Sequence, residues 1–221
     1  MQKFDTAAAI VTTLAVPAGR IRIVAADRAD TTVDIRPADA SKSRDVKTAE
    51  RTEVAYADGV LRIEVPKTKN GVLGDTGSIE VTVQLPAGSR VEASAAAAEL
   101  TTAGRLGDVT FEGAYRRITI DEAASLRLTA TDGDVEVGRL TGSAEITTAR
   151  GDIRVAEAVR GTLTLTTQKG DIVVAAATGV SATLDAGTAY GRVVNSLKND
   201  GTPGLAVHAT TAYGDIAARS L

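Results

Sequence analysis

The chain has 221 residues, a formal net charge of −3, no cysteine, one histidine, two phenylalanines, four tyrosines and no tryptophan. That length supports a sizeable core without disulfides, and the missing thiols exclude cysteine catalysis and thiolate metal sites. A lone histidine excludes a multi-histidine metal centre, and the slight acidic surplus with few rings argues against nucleic acid and against a tight, aromatic-lined glycan cleft.

From the amino terminus, Ala7–Val16 ("AAAIVTTLAV") is short, mildly apolar and preceded only by Lys3, which Asp5 offsets. It reads as a first strand rather than an export signal. Nothing approaches the ~20 apolar residues of a spanning helix. No transmembrane segment is therefore expected, and a cytoplasmic location is, with envelope association as the alternative. Val16–Gly19 and Leu85–Gly88 share a hydrophobic-Pro-Ala-Gly pattern, which predicts turns between strands. Ser41–Thr52 is strongly charged with little apolar face and predicts the one short helix. Tyr56–Val65 reads as turn and strand, and Pro66–Ser78 as an exposed loop. Its "GDTGS" at Gly74 lacks the lysine of a phosphate-binding loop. Residues 1–88 are expected to form an irregular β capping region and residues 89–221 a run of regular coils. No linker rich in Gly, Ser or Pro divides them, so one continuous body is expected.

The second region repeats. Gly-Asp recurs at Gly107-Asp108, Gly133-Asp134, Gly151-Asp152, Gly170-Asp171 and Gly214-Asp215, and Gly191-Arg192 occupies the slot between the last two. From Gly133 onward the spacing is 18, 19, 21 and 23 residues. Between these marks the apolar period is two: Leu126, Leu128, Val135 and Val137, then Ile146, Ile153 and Val155, then Leu163, Leu165, Ile172 and Val174. Period two with β-branched residues means half-buried strands, and Gly142, Gly161 and Gly179 mark a second turn in each unit. Two strands alone cannot bury an apolar face, whereas stacked coils can. The predicted fold is all-β, a β-solenoid of about 18–23-residue coils with an irregular β amino-terminal region and one short helix. A sandwich of hairpins is the alternative.

In that frame each Gly turns a strand-to-strand corner and each Asp accepts turn N–H groups. Stacking would bring Asp134, Asp152 and Asp171 about one coil apart, which raises two other uses. A Ca²⁺ ladder would call for a Gly- and Asp-rich nonapeptide that is absent here. A catalytic acid row, as in a β-helical polysaccharide lyase or hydrolase, would need a groove and partner groups. The corner role is preferred, and no cofactor or metal is expected.

The "LPAGSRVEAS" segment followed by iterated "TT/A-x-x-Gly-Asp-hydrophobic-x-Val" units resembles the bacterial β-strand-repeat family labelled "putative adhesins", from about Val81 onward and more loosely before it. The resemblance implies a β-solenoid with a non-enzymatic role at or near the cell envelope, and it supplies no catalytic residues.

Four further features complete the reading. His208 alternates with Val207 and Ala209 and should point outward, toward solvent rather than as a general base. Tyr115–Arg117 ("YRR") reads as a solvated turn rather than an anion site. Tyr190 and Tyr213 hold the same slot in adjacent coils, where they should stack and could meet a partner. The chain ends on a repeat, "GDIAARSL". A last coil without a cap exposes unpaired strand groups. Hence Tyr190, Tyr213 and Ile216 are the candidate interface for a second copy or a protein partner, through the carboxy-terminal coil.

Overall fold

The alternating residues build strands that stack in parallel, rung upon rung. A computed structural model describes residues 1–66, 77–113 and 117–221; the Pro66–Ser78 loop falls largely, and the Tyr115–Arg117 turn in its first two residues, outside them. Among the described residues there are eighteen strands and one helix, in a single continuous hydrogen-bonded network. The architecture is all-β and solenoid-like.

One face of the body stacks β9 (Ile118–Asp132), β11 (Ala144–Arg150), β13 (Gly161–Lys169), β17 (Leu205–Tyr213) and β15 (Ala182–Tyr190), in that spatial order and all parallel. Another stacks the start of β9, then β10 (Val135–Leu140), β12 (Ile153–Ala158), β14 (Ile172–Ala176), β18 (Ile216–Ser220) and β16 (Val193–Ser196). Registers align the inward side chains in columns. One runs Leu126, Ala144, Leu163, Val207, Leu184. Another runs Ile118, Val135, Ile153, Ile172, Ile216, Val193. A column of this kind stays narrow, which explains why Val, Ile, Leu and Ala fill the core and why, among the described residues, Phe111 is the only aromatic ring fully buried in it.

The first ninety residues contribute rungs of their own. β2 (Val11–Ala26) lies parallel to β7 (Arg90–Ala103) along nearly its whole length. Its opposite edge pairs with β5 (Val60–Glu64) and β6 (Ile79–Pro86). The Pro-Ala-Gly at Val16–Gly19 is therefore not a turn between two strands. It is a corner inside one strand, where Gly19 takes φ +128° because a Cβ would stand 1.8 Å from the Ile79 carbonyl oxygen. The matching Gly88, with φ +80°, does sit in a turn, just beyond the end of β6.

This end of the stack is closed. β3 (Asp30–Pro37) runs antiparallel to β6, β4 (Glu53–Ala57) antiparallel to β5, and β1 (Gln2–Asp5) antiparallel to β3. The helix α1 spans Ser43–Arg51, inside the predicted Ser41–Thr52, and packs on β3 and β6. Buried Asp45 accepts the Ser78 N–H at 2.9 Å, and buried Thr48 accepts the Gly77 N–H at 2.9 Å.

The far end is built differently, and this corrects the expected position of the carboxy-terminal coil. The chain does not lay its last coil outermost. β17 and β18 slot between the β13–β14 rung and the β15–β16 rung, paired on both sides. Ile216 is buried against Ile172 and Val193 and cannot serve as an interface residue. The exposed edge belongs to residues 182–196.

Candidate functional site

The recurring Gly-Asp pairs meet along one corner of the stack. Each carboxylate there accepts a backbone N–H from the following rung. Asp152 N donates to Asp134 Oδ1 at 3.0 Å, Asp171 N to Asp152 Oδ1 at 2.9 Å, Asp215 N to Asp171 Oδ1 at 2.8 Å, and Arg192 N to Asp215 Oδ1 at 2.9 Å. The backbone runs a parallel ladder: Val135 N donates to the Asp152 carbonyl, Ile153 N to that of Asp171, Ile172 N to that of Asp215 and Ile216 N to that of Arg192. A carboxylate that receives N–H bonds tolerates its neighbours far better than a bare one.

Two further groups complete the corner. Gly133, Gly151, Gly170 and Gly214 take φ from +133° to +153°, so that the next rung can approach. Thr167 Oγ1 donates to the Gly151 carbonyl at 3.2 Å, Thr211 Oγ1 to that of Gly170 at 3.0 Å and Thr188 Oγ1 to that of Gly214 at 2.9 Å. These threonines were not singled out as site residues from the sequence. The signal lay in their position, three residues before Gly170, Gly191 and Gly214.

Gly107-Asp108 does not belong to this corner. Both residues lie inside β8 (Arg105–Gly113), and Gly107 has no left-handed φ. Asp108 accepts the Ser125 hydroxyl at 2.6 Å and pairs with Arg90 at 3.4 Å. Gly191-Arg192 does belong, as its last member. Arg192 donates its N–H to Asp215, its guanidinium reaches Asp215 Oδ2 at 3.2 Å, and it has no carboxylate to offer a further rung.

Tyr190 and Tyr213 stack with ring centroids 4.9 Å apart and planes within 5°, both exposed. His208 is half-exposed and lies 3.3 Å from Asp185 Oδ2. Among the described residues no group of three or more His, Asp or Glu is placed to hold a metal ion. A shallow groove of about 590 Å³ on the outer surface is lined by Gly138, Ala156 and Ala175 with Asp121, Arg154 and Arg219.

Electrostatics reinforce both ends. Backbone and guanidinium bonds from Arg192 hold the Asp215 carboxyl below its ordinary value. In the amino-terminal cap, bonds from Arg28 and then Lys3 lower Asp30 to about 2. A depressed carboxyl stabilises the fold above its unfolded value near 3.8 and loses that contribution as pH falls toward the folded value. Thermal scans from pH 7 to pH 2 should therefore show an acid limb between about pH 4 and pH 2, flatter in Asp30→Asn. An unchanged limb in the variant would rule out the Arg28–Asp30–Lys3 cluster as its source.

A family model described as Toastrack DUF4097 matches residues 13–220. A crystal structure of a "putative adhesin" from Bacteroides fragilis is similar over 98% of this chain and 95% of that one, at 15% identity and a TM-score of 0.55. One of a "putative adhesin" from Parabacteroides distasonis covers the same shares at 12% identity and a TM-score of 0.48. One of a "putative cell adhesion protein" from Clostridium sporogenes covers 100% and 98%, at 13% and 0.41. No curated protein matches the chain. Among the described residues no helix is long and apolar enough to cross a membrane.

Proposed function

Because the chain belongs to the Toastrack DUF4097 family, we propose that it is a non-enzymatic, adhesin-like scaffold that acts at the cell envelope and binds through its ordered outer rows. In this reading residues 1–88 cap the body and residues 89–221 present the rows. The observation that carries it is the use made of the repeated carboxylates. Asp134, Asp152, Asp171 and Asp215 each receive the next rung's N–H, so the recurrence serves stacking.

What the stack offers outward is a rigid lattice of side chains. One row carries Arg127, Glu145, Thr164, His208 and Asp185 in register, with Arg127 and Glu145 joined at 3.3 Å. Such a surface suits recognition of an extended partner at many weak points, because the backbone network holds the spacing fixed.

The test is co-sedimentation of the purified full chain with isolated bacterial envelope fractions. Binding should saturate, and should weaken in Arg127→Glu combined with Arg154→Glu, which reverse exposed charges and leave the core untouched. Absence of envelope binding would defeat the reading, as would turnover of acidic glycans by the purified protein.

A further inference from the structure

The two ends of the body differ in how they protect their edges. The amino-terminal end carries three antiparallel strands, a helix and charged edge residues such as Lys3, Asp5 and Glu53. At the other end, β15 and β16 pair with β17 and β18 on one side only; no described strand pairs with the other, where the Lys198 carbonyl accepts the Ala182 N–H at 2.9 Å. Their thirteen residues, ATLDAGTAY and VVNS, contain one charge, Asp185. Protected edges carry lysines, prolines or bulges; here the exposed side chains are Tyr190 at 68%, Val193 at 45% and Val194 at 55%.

We infer that β15 and β16 form a docking surface for a second copy of this chain, joined about a two-fold axis so that each edge strand meets its own counterpart antiparallel. Three observations choose this occupant. First, continuation by another rung running in the same direction is blocked. The corner ladder needs a carboxylate to receive the next N–H, and Arg192 stands in that slot as a cation. Second, head-to-tail stacking has no mate, because the opposite end is closed by β1, β3, β4 and α1. Third, the edge is nearly neutral and self-compatible. Antiparallel pairing centred on Ala186 sets Asp185 against Gly187 and Leu184 against Thr188, so no like charges oppose.

The size is adequate. Nine strand residues span ~30 Å, and two sheets with their side chains roughly 20 Å, so the end offers roughly 600 Å² per copy. The pair would bury roughly 1,200 Å², the lower bound for a specific interface, so association is expected to depend on concentration. The inference concerns self-association alone and stands or falls separately from envelope binding.

Sedimentation velocity on the full chain, from about 1 to about 500 µM, tests it. The expected result is a monomer that doubles in mass as concentration rises. Asn195→Lys places a charge at the inward position of the open rung, beyond Ala218, and should abolish the doubling while leaving Tm within a few degrees of wild type. A folded Asn195→Lys variant that still doubles would overturn the inference. Cross-linking provides a second readout, since the chain lacks cysteine. Gly187→Cys is unstrained, with nothing within 4 Å of its Cβ, and should give covalent dimers with a short bis-maleimide. Lys3→Cys at the far end should not. A strict monomer across the range would overturn the inference, as would equal cross-linking at both ends.

Discussion

Gly170→Val is expected to destabilise the protein by at least ~4 kcal/mol and to lower Tm by about 10 °C or more, among the largest effects of any surface-corner substitution. Two independent penalties combine at this position. The backbone sits at φ +153°, where an L side chain is strained, and a Cβ would stand 2.0 Å from the Gly151 carbonyl oxygen and 3.0 Å from the Asp152 nitrogen. Neither obstacle is a flexible side chain that can swing away. Both are backbone atoms of the adjacent rung, held by the ladder in which Asp171 N donates to Asp152 Oδ1. Relief would require two rungs to part at the corner, breaking the Thr167 and Asp152 hydrogen bonds there and opening the column beneath Ile172.

The control is Gly179→Ala. Gly179 also has a left-handed backbone, φ +80°, but nothing lies within 4 Å of its Cβ position. It should lose only ~1 kcal/mol, the conformational part alone. Urea titrations of the two variants beside wild type separate strain from stacking. Equal losses would mean that rung-to-rung contact at the corner contributes nothing, and the stacking account of the repeat would fall.

Much of this corner was legible in the sequence, because a stacked architecture copies its constraints into every rung. Period-two alternation gave the strands, and the glycines marked where rungs approach. The stretch Ser41–Thr52 pointed to the helix because it is strongly charged and has little apolar face to place in a sheet. Gly107-Asp108 misled because a dipeptide is a weak signature. What sets it apart is its place inside β8, where Gly107 has no left-handed backbone and Asp108 is engaged by Ser125 and Arg90 instead of by the next rung's N–H.

The order of the last two rungs was harder to read. Residues 182–190 and 205–213 carry the same alternation and the same "TAYG" cassette, so local pattern fits either position. Two residues break the tie. Asn195 falls in the column Ile120, Val137, Val155, Val174, Ala218, and a polar amide is tolerable there only where the column meets solvent. Arg192 replaces the aspartate that an inner rung must offer its successor. Both point outward for the same rung. Chain order, the default assumption for a repeat, lost to side-chain chemistry.

That ordering makes the second large prediction. Ile216→Ala should cost about 3 kcal/mol, whereas Val193→Ala should cost under about 1 kcal/mol, although the two residues are register partners in one column. Ile216 is 1% exposed, with Ile172 on one side and Val193 on the other. Truncating it leaves a cavity walled by two rungs that the ladder prevents from collapsing. Val193 is 45% exposed and touches only one rung, so water fills whatever its loss vacates. Hydrogen exchange should agree: amides of 205–220 should be protected like those of 161–176, while the amides of 182–196 that face outward exchange first. Had the rungs stacked in chain order, both readouts would invert. Val193 would be the buried partner, Ile216 the exposed one, and the final coil the first to exchange, so a reversed ranking in either measurement would refute the intercalated arrangement and, with it, the assignment of the free edge to residues 182–196.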